Sequence, residues 1–198
     1  MLNNNFKNKN LSGYTIIETM IATSLFLVIV IYGMGSLLNA NLIHKKSENS
    51  RAIMDNLNFV MEDISRNLRT GSSYHCLFGN DTLANSYVPT SCTEGWGIAF
   101  ESASGSSVTS NDQWVYYIDE GKLFKSTDNG GSGFVQLTPD EIVLDELSYF
   151  SVLGAEGVNS ENAQQPFVSI HLIGSITSKD GTLPFSLQTS MSQRVVDI

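Results

Sequence analysis

Cysteine is nearly absent from this chain: Cys76 and Cys92 are the two it has in 198 residues, and histidine occurs three times, as His44, His75 and His171. With no second Cys-x-x-Cys and no close Cys/His pair, four zinc ligands cannot be assembled, so no metal site is expected. Positive charge is also short, 11 Lys and Arg against 20 Asp and Glu, a net charge of −9. Nucleic-acid surfaces need clustered Lys and Arg, so no nucleic-acid partner is expected. There is no Gly-x-Ser-x-Gly elbow and no Gly-x-x-x-x-Gly-Lys phosphate loop. Asp128-Asn129-Gly130 lacks the alternating ligands and closing Glu of a calcium loop. Carboxylates are spread without a spaced pair, and each histidine reads as a surface or structural residue. The expectation is therefore no catalytic residue, no cofactor and no enzyme.

What is present is one long apolar run. From Tyr14 to Leu38, 25 residues, the only charged side chain is Glu18. That length crosses a bilayer core of about 30 Å as a helix, and helix is the form that satisfies its backbone inside lipid. A lone acid near the start of such a segment is costly unless it has a role. A secretory signal has a shorter core of about 7–15 residues and a small-residue cleavage site after it, which this run lacks. A plain signal anchor, with Glu18 tolerated near the interface, is the stronger alternative. Lys7 and Lys9 precede the run and Lys45, Lys46 and Arg51 follow it, so charge counting does not decide orientation.

Gly13-Tyr14-Thr15-Ile16-Ile17-Glu18, after a short basic leader and ahead of the apolar run, resembles the N-terminus of a type IV pilin-like precursor. Tyr14 stands where that family commonly has Phe. The resemblance implies that a prepilin peptidase cuts between Gly13 and Tyr14 and methylates the new amino terminus of Tyr14. It implies that Glu18 pairs with that amine on a neighbouring pilin-like subunit during assembly. It also implies a single pass through the cytoplasmic membrane, with the C-terminal domain outside the cytoplasm or in a filament. Losing Lys7 and Lys9 with the leader would take the net charge from −9 to −11.

Beyond Leu38, residues 39–69 contain no Pro or Gly, and Ile53, Leu57, Val60, Met61, Ile64 and Leu68 fall on one helical face. Asn49, Asp55, Asn58, Glu62, Asp63, Arg66 and Asn67 take the other, and Thr70-Gly71 is a stop signal. The helix is predicted to continue to residue 70. Residues 72–95 read as irregular. Cys76 and Cys92 lie in that stretch and pair as a disulfide if the domain is outside the cytoplasm; the alternative is two reduced, buried thiols. In many major pilins the disulfide instead closes a loop near the C-terminus.

The remainder reads as β-structure. Trp96, Ile98 and Phe100 alternate; Trp114–Ile118 and Leu123-Phe124 flank a Gly-containing turn; Ile142–Leu153 reads as one strand. Val168, Ile170 and Leu172 alternate, as do Phe185, Leu187, Thr189 and Met191, with Lys179-Asp180-Gly181-Thr182 as the turn between them. Met61–Arg69 and the tail Leu187–Arg194 are similar to the helix end and tail of J-type pseudopilins and related minor pilins.

The expected fold is α+β and pilin-like: a long N-terminal helix with a membrane-spanning first half, packed on an antiparallel sheet domain. Its parts are a leader (1–13), an assembly helix (14–38), an amphipathic continuation (39–70) and a β-rich globular domain (71–198). The expected function is a structural minor subunit of a type IV pilus-like, type II secretion or DNA-uptake filament. The alternative is a membrane-anchored extracytoplasmic binding module on the same kind of anchor.

Overall fold

The computed structural model describes residues 13–83, 86–106, 109–156, 164–178 and 181–194. The rest of the leader and the Lys179-Asp180 half of the last turn lie outside them, as does most of the loop between Gly154 and Gln165. The described chain has one α-helix, α1 (Ile16–Thr70), followed by ten strands. It divides into two compact units, one reaching Glu48 and the other beginning at Asn49, with α1 contributing to both.

In the first unit α1 is apolar from Met20 to Leu38 and uncovered: none of its most apolar window is buried, and it is long and apolar enough to cross a membrane. In the second unit α1 changes character. Leu57, Met61, Ile64 and Leu68 are buried, with Ile53, Met54 and Val60 packed beside them. All but Met54 are the residues whose spacing predicted an apolar stripe, and spacings of three and four place them on one face.

The strands are β1 (Ser72–Leu77), β2 (Cys92–Gly95), β3 (Gly97–Glu101), β4 (Trp114–Asp119), β5 (Lys122–Ser126), β6 (Val135–Gln136), β7 (Ile142–Leu144), β8 (Tyr149–Leu153), β9 (Phe167–Ser178) and β10 (Gly181–Ser192). They form two five-stranded sheets rather than the single sheet expected. One has the order β1-β3-β4-β5-β6; the other runs β10-β9-β8-β2, with β7 also on β9. The main core lies where both sheets meet the α1 stripe, with Phe100, Tyr116, Phe150 and Ile170 fully buried. A smaller cluster of Leu77, Ala99 and Val115 sits on the other side of the first sheet. Strand β3 is thus covered on both faces.

Residues 72–95 are not irregular throughout, since β1 and β2 occupy their two ends. Their signal is masked because Ser73 takes φ 53° and the β1–β3 register shifts between Ser72 and His75, which spoils the alternation. Ile142–Leu153 is two strands, not one. The backbone N–H of Leu147 donates to Asp145 Oδ1 at 2.9 Å and that of Ser148 to the Asp145 carbonyl at 3.0 Å, so Asp145 builds a turn inside the apolar stretch. The β4–β5 hairpin forms as expected, with Glu120 and Gly121 both at positive φ, the pattern of a two-residue primed turn.

Helix α1 ends at Thr70 as the Thr-Gly pair predicted. The glycine serves a different purpose there than a left-handed cap. A Cβ on Gly71 would lie 2.8 Å from the Glu101 carbonyl and collide with the Phe100 ring. Only glycine lets the helix end approach β3 this closely.

Candidate functional site

The N-terminal segment is built from Thr15. Its carbonyl accepts the Thr19 N–H at 3.2 Å and its Oγ1 accepts the Glu18 N–H at 3.3 Å, so Thr15 caps α1. Threonine three residues before glutamate is the capping-box spacing. That spacing is the sequence signal for the helix start, and it lies inside the apolar pattern around Glu18. Glu18 is exposed in the first turn, where a negative charge is favoured by the helix dipole. Gly13 and Tyr14 precede the helix, outside its hydrogen-bond ladder, and Tyr14 is 82% exposed. A Cβ built on Gly13 would meet nothing within 4 Å. Gly13, Tyr14 and Glu18 therefore lie together at an open chain segment and the helix start that follows it.

Further along, three hydroxyls of the apolar run are satisfied within the helix. Thr19 Oγ1 donates to the Ile16 carbonyl at 2.8 Å, Thr23 Oγ1 to the Thr19 carbonyl at 2.9 Å, and Ser24 Oγ to the Ile21 carbonyl at 2.9 Å. Unpaired hydroxyls cost most in hydrocarbon, and these are not unpaired. Glu18 is left as the charged group of the apolar run.

The C-terminal half of α1 is held by polar as well as apolar contacts. Asn67 donates from Nδ2 to the Tyr116 hydroxyl at 2.9 Å, and Lys125 Nζ lies 3.3 Å from Asp63 Oδ2 while sitting 4.4 Å over the Trp114 ring. Asp63 and Asn67, expected on the solvent face, are half-buried for this reason. The Tyr74 hydroxyl donates near the helix end, within 2.9 Å of the Gly71 carbonyl, and burial pushes its pKa well above the phenol range. The Arg194 N–H donates to the Arg69 carbonyl at 2.8 Å, so the chain beyond β10 returns to the end of α1.

Cys76 and Cys92 are joined as a disulfide, with Cα atoms 5.8 Å apart. The bond links β1 of the first sheet to β2 of the second. His75, beside it, is a buried structural residue: Nδ1 lies 2.5 Å from the Val88 carbonyl, and Nε2 is buried without a hydrogen bond, 3.9 Å from Asp81. His171 lies on the outer face of β9, its ring stacked on Tyr149 at 4.5 Å. His44 is exposed near Glu48 on α1.

Other polar groups also have structural partners. Glu156 accepts from the Ser91 N–H at 2.8 Å and its hydroxyl at 2.7 Å, which holds its carboxyl below the usual range. The Asp128 carboxylate binds the Ser126 hydroxyl at 2.7 Å and the N–H and hydroxyl of Ser132, so the glycine-rich turn closes on its own side chain. Glu101, like His75, keeps a buried atom without a hydrogen bond: it is 4% exposed and its Oε2 has no partner. Among the described residues no group of three or more His, Cys, Asp or Glu converges on a metal position.

The chain matches no protein-family model, and neither a curated protein nor a solved structure matches it significantly.

Proposed function

We propose that this chain is a structural, low-copy subunit of a pilus-like, secretion or DNA-uptake filament. Prepilin peptidase releases it by cutting between Gly13 and Tyr14, and methylates Tyr14. The observation that carries the reading is the order of parts at the N-terminus. An uncapped Gly13-Tyr14 pair precedes a helix that starts at Ile16, and the single acid of its apolar run stands in the first turn. A peptidase needs accessible, non-helical backbone, and the Gly13–Tyr14 bond lies in such a stretch. On this reading residues 71–198 face an oxidising compartment, which agrees with a Cys76–Cys92 bridge.

The Thr15–Glu18 cap favours a second reading. The Thr15 bond uses only the Glu18 backbone N–H, but the helix dipole favours the Glu18 carboxylate in the first turn, which stabilises the acid inside one chain without any neighbour. A membrane-anchored binding module would need no more than that.

Mass spectrometry on protein extracted from membranes of a host with active prepilin peptidase tests the first reading. The expected species begins at N-methylated Tyr14. An intact leader in that host overturns it.

A further inference from the structure

The chain crosses from the second sheet to the first at Trp96, between the end of β2 at Gly95 and the start of β3 at Gly97. Trp96 forms a wall shared by two adjoining cavities of about 280 and 290 Å³ at the seam of the sheets. Each is at the small end of ligand pockets, roughly 300–1,000 Å³, a size for single side chains rather than a cofactor. Their rims carry Glu94, Asp119, Glu120, Asp145 and Glu146, all exposed, and no Lys or Arg. None of these five has a cationic partner within 4.0 Å among the described residues. They do not converge on one point as metal ligands would; they line a groove.

The groove is also rigid. On one side is the Glu120-Gly121 turn, whose Gly121 carbonyl accepts the Leu144 N–H at 2.8 Å. On the other is the Asp145 turn, where Ser148 is tied to Ile173 through its hydroxyl at 2.8 and 2.9 Å. The Trp96 carbonyl accepts the Ile118 N–H at 2.8 Å, and its ring is set edge-on to Tyr117. An indole lining a groove whose braced backbone carries exposed carboxylates attracts a cation by its ring and by charge.

We infer that the Trp96 groove is a docking site for a basic segment of a partner protein, taking Lys or Arg side chains against the indole and the surrounding carboxylates. The groove belongs to the globular unit and does not depend on Glu18 or on processing at Tyr14, so it can fail or hold separately from the filament reading.

The test uses the full chain in nonionic detergent. Trp96 and Trp114 are the two tryptophans, so the Trp114→Phe variant reports Trp96 fluorescence alone. It is titrated with a hexa-arginine peptide. The expected result is a saturable change that weakens roughly tenfold, about 1.4 kcal/mol, on adding Glu120→Gln and Glu146→Gln. Adding Asp55→Asn and Glu62→Gln, exposed carboxylates on α1, should leave it unchanged. Equal weakening by both pairs would mean general attraction to an acidic chain and would overturn the site. So would an absent Trp96 response, or an equal response to calcium alone, which would make it an ion site.

Discussion

At the scale of single residues, Glu18 and Glu101 are acids in unfavourable surroundings for opposite reasons. Glu18 is uncovered in the first turn of an apolar helix. A carboxylate in lipid or in a packed helical array needs a cationic partner to offset its desolvation, and the apolar run contains no Lys or Arg. If the amine of Tyr14 on a neighbour is that partner, Glu18→Ala leaves the chain folded and membrane-inserted but drops its filament incorporation to background. Crosslinking of wild type and variant at equal membrane levels checks this, and equal incorporation sinks the pairing. Glu101 is buried, and burial first, then the charge of Asp112, pushes its carboxyl up while a Gln113 hydrogen bond opposes the shift. A group raised in the folded state stabilises most below its ordinary pKa, and that contribution is lost as pH rises through the raised value. Glu101→Gln should therefore raise stability at pH 7 and flatten the fall between mildly acid and neutral pH. Glu156 runs the other way: the Ser91 hydrogen bonds lower it, so its contribution is present above the ordinary carboxylate range and fades on acidification. Denaturant unfolding of Glu101→Gln and Ser91→Ala across pH 3–8 should give slopes that change in opposite senses.

At the scale of elements, the helix was the most legible part. Its stripe, its polar face and its end at Thr70 follow from spacing and from the Thr-Gly pair. Ile64 is fully buried in that stripe. Ile64→Ala should lower stability by about 2–5 kcal/mol, whereas Phe59→Ala, on an exposed position of the same helix, should change it by less than about 0.5 kcal/mol. Thermal unfolding of the two variants separates stripe from surface. Strands were legible where alternation was regular: Val168, Ile170 and Leu172 point inward as read, and β9 and β10 keep register over twelve residue pairs. Legibility failed where the backbone departs from the period of two. Ser73 at positive φ hid β1, and Asp145 cut one apparent strand into β7 and β8. The division into two sheets was not readable, because β3 is buried on both faces and looks in sequence like any short apolar strand. The Trp96 groove was not readable either. Its five acids come from strand β2, the β4–β5 hairpin and the β7–β8 turn, which only the sheet seam brings together.

At the scale of the molecule, most strands pair with neighbours in sequence, β2 reaches forward to β8 and β7 to β9, and two other connections tie separate parts of the fold together. One is the Arg194-to-Arg69 hydrogen bond, which returns the end of β10 to the end of α1. The other is the Cys76–Cys92 bond, which passes from one sheet to the other and closes the segment between them into a covalent ring. In the chain-entropy description a ring of that size is worth about 3 kcal/mol. Its effect on proteolysis differs in kind from its effect on stability. Phe78 and Tyr87 are exposed on the ring, and a chymotrypsin-like protease has its preferred side chains there. A single nick after either residue would cut the backbone and still leave both pieces attached through sulfur. Such a clipped molecule should migrate intact on a non-reducing gel and split in two once dithiothreitol is added. Fragments that part without reductant would show that the ring is open. A chain built this way can be clipped at its surface and keep its long N-terminal helix covalently joined to most of its β-structure.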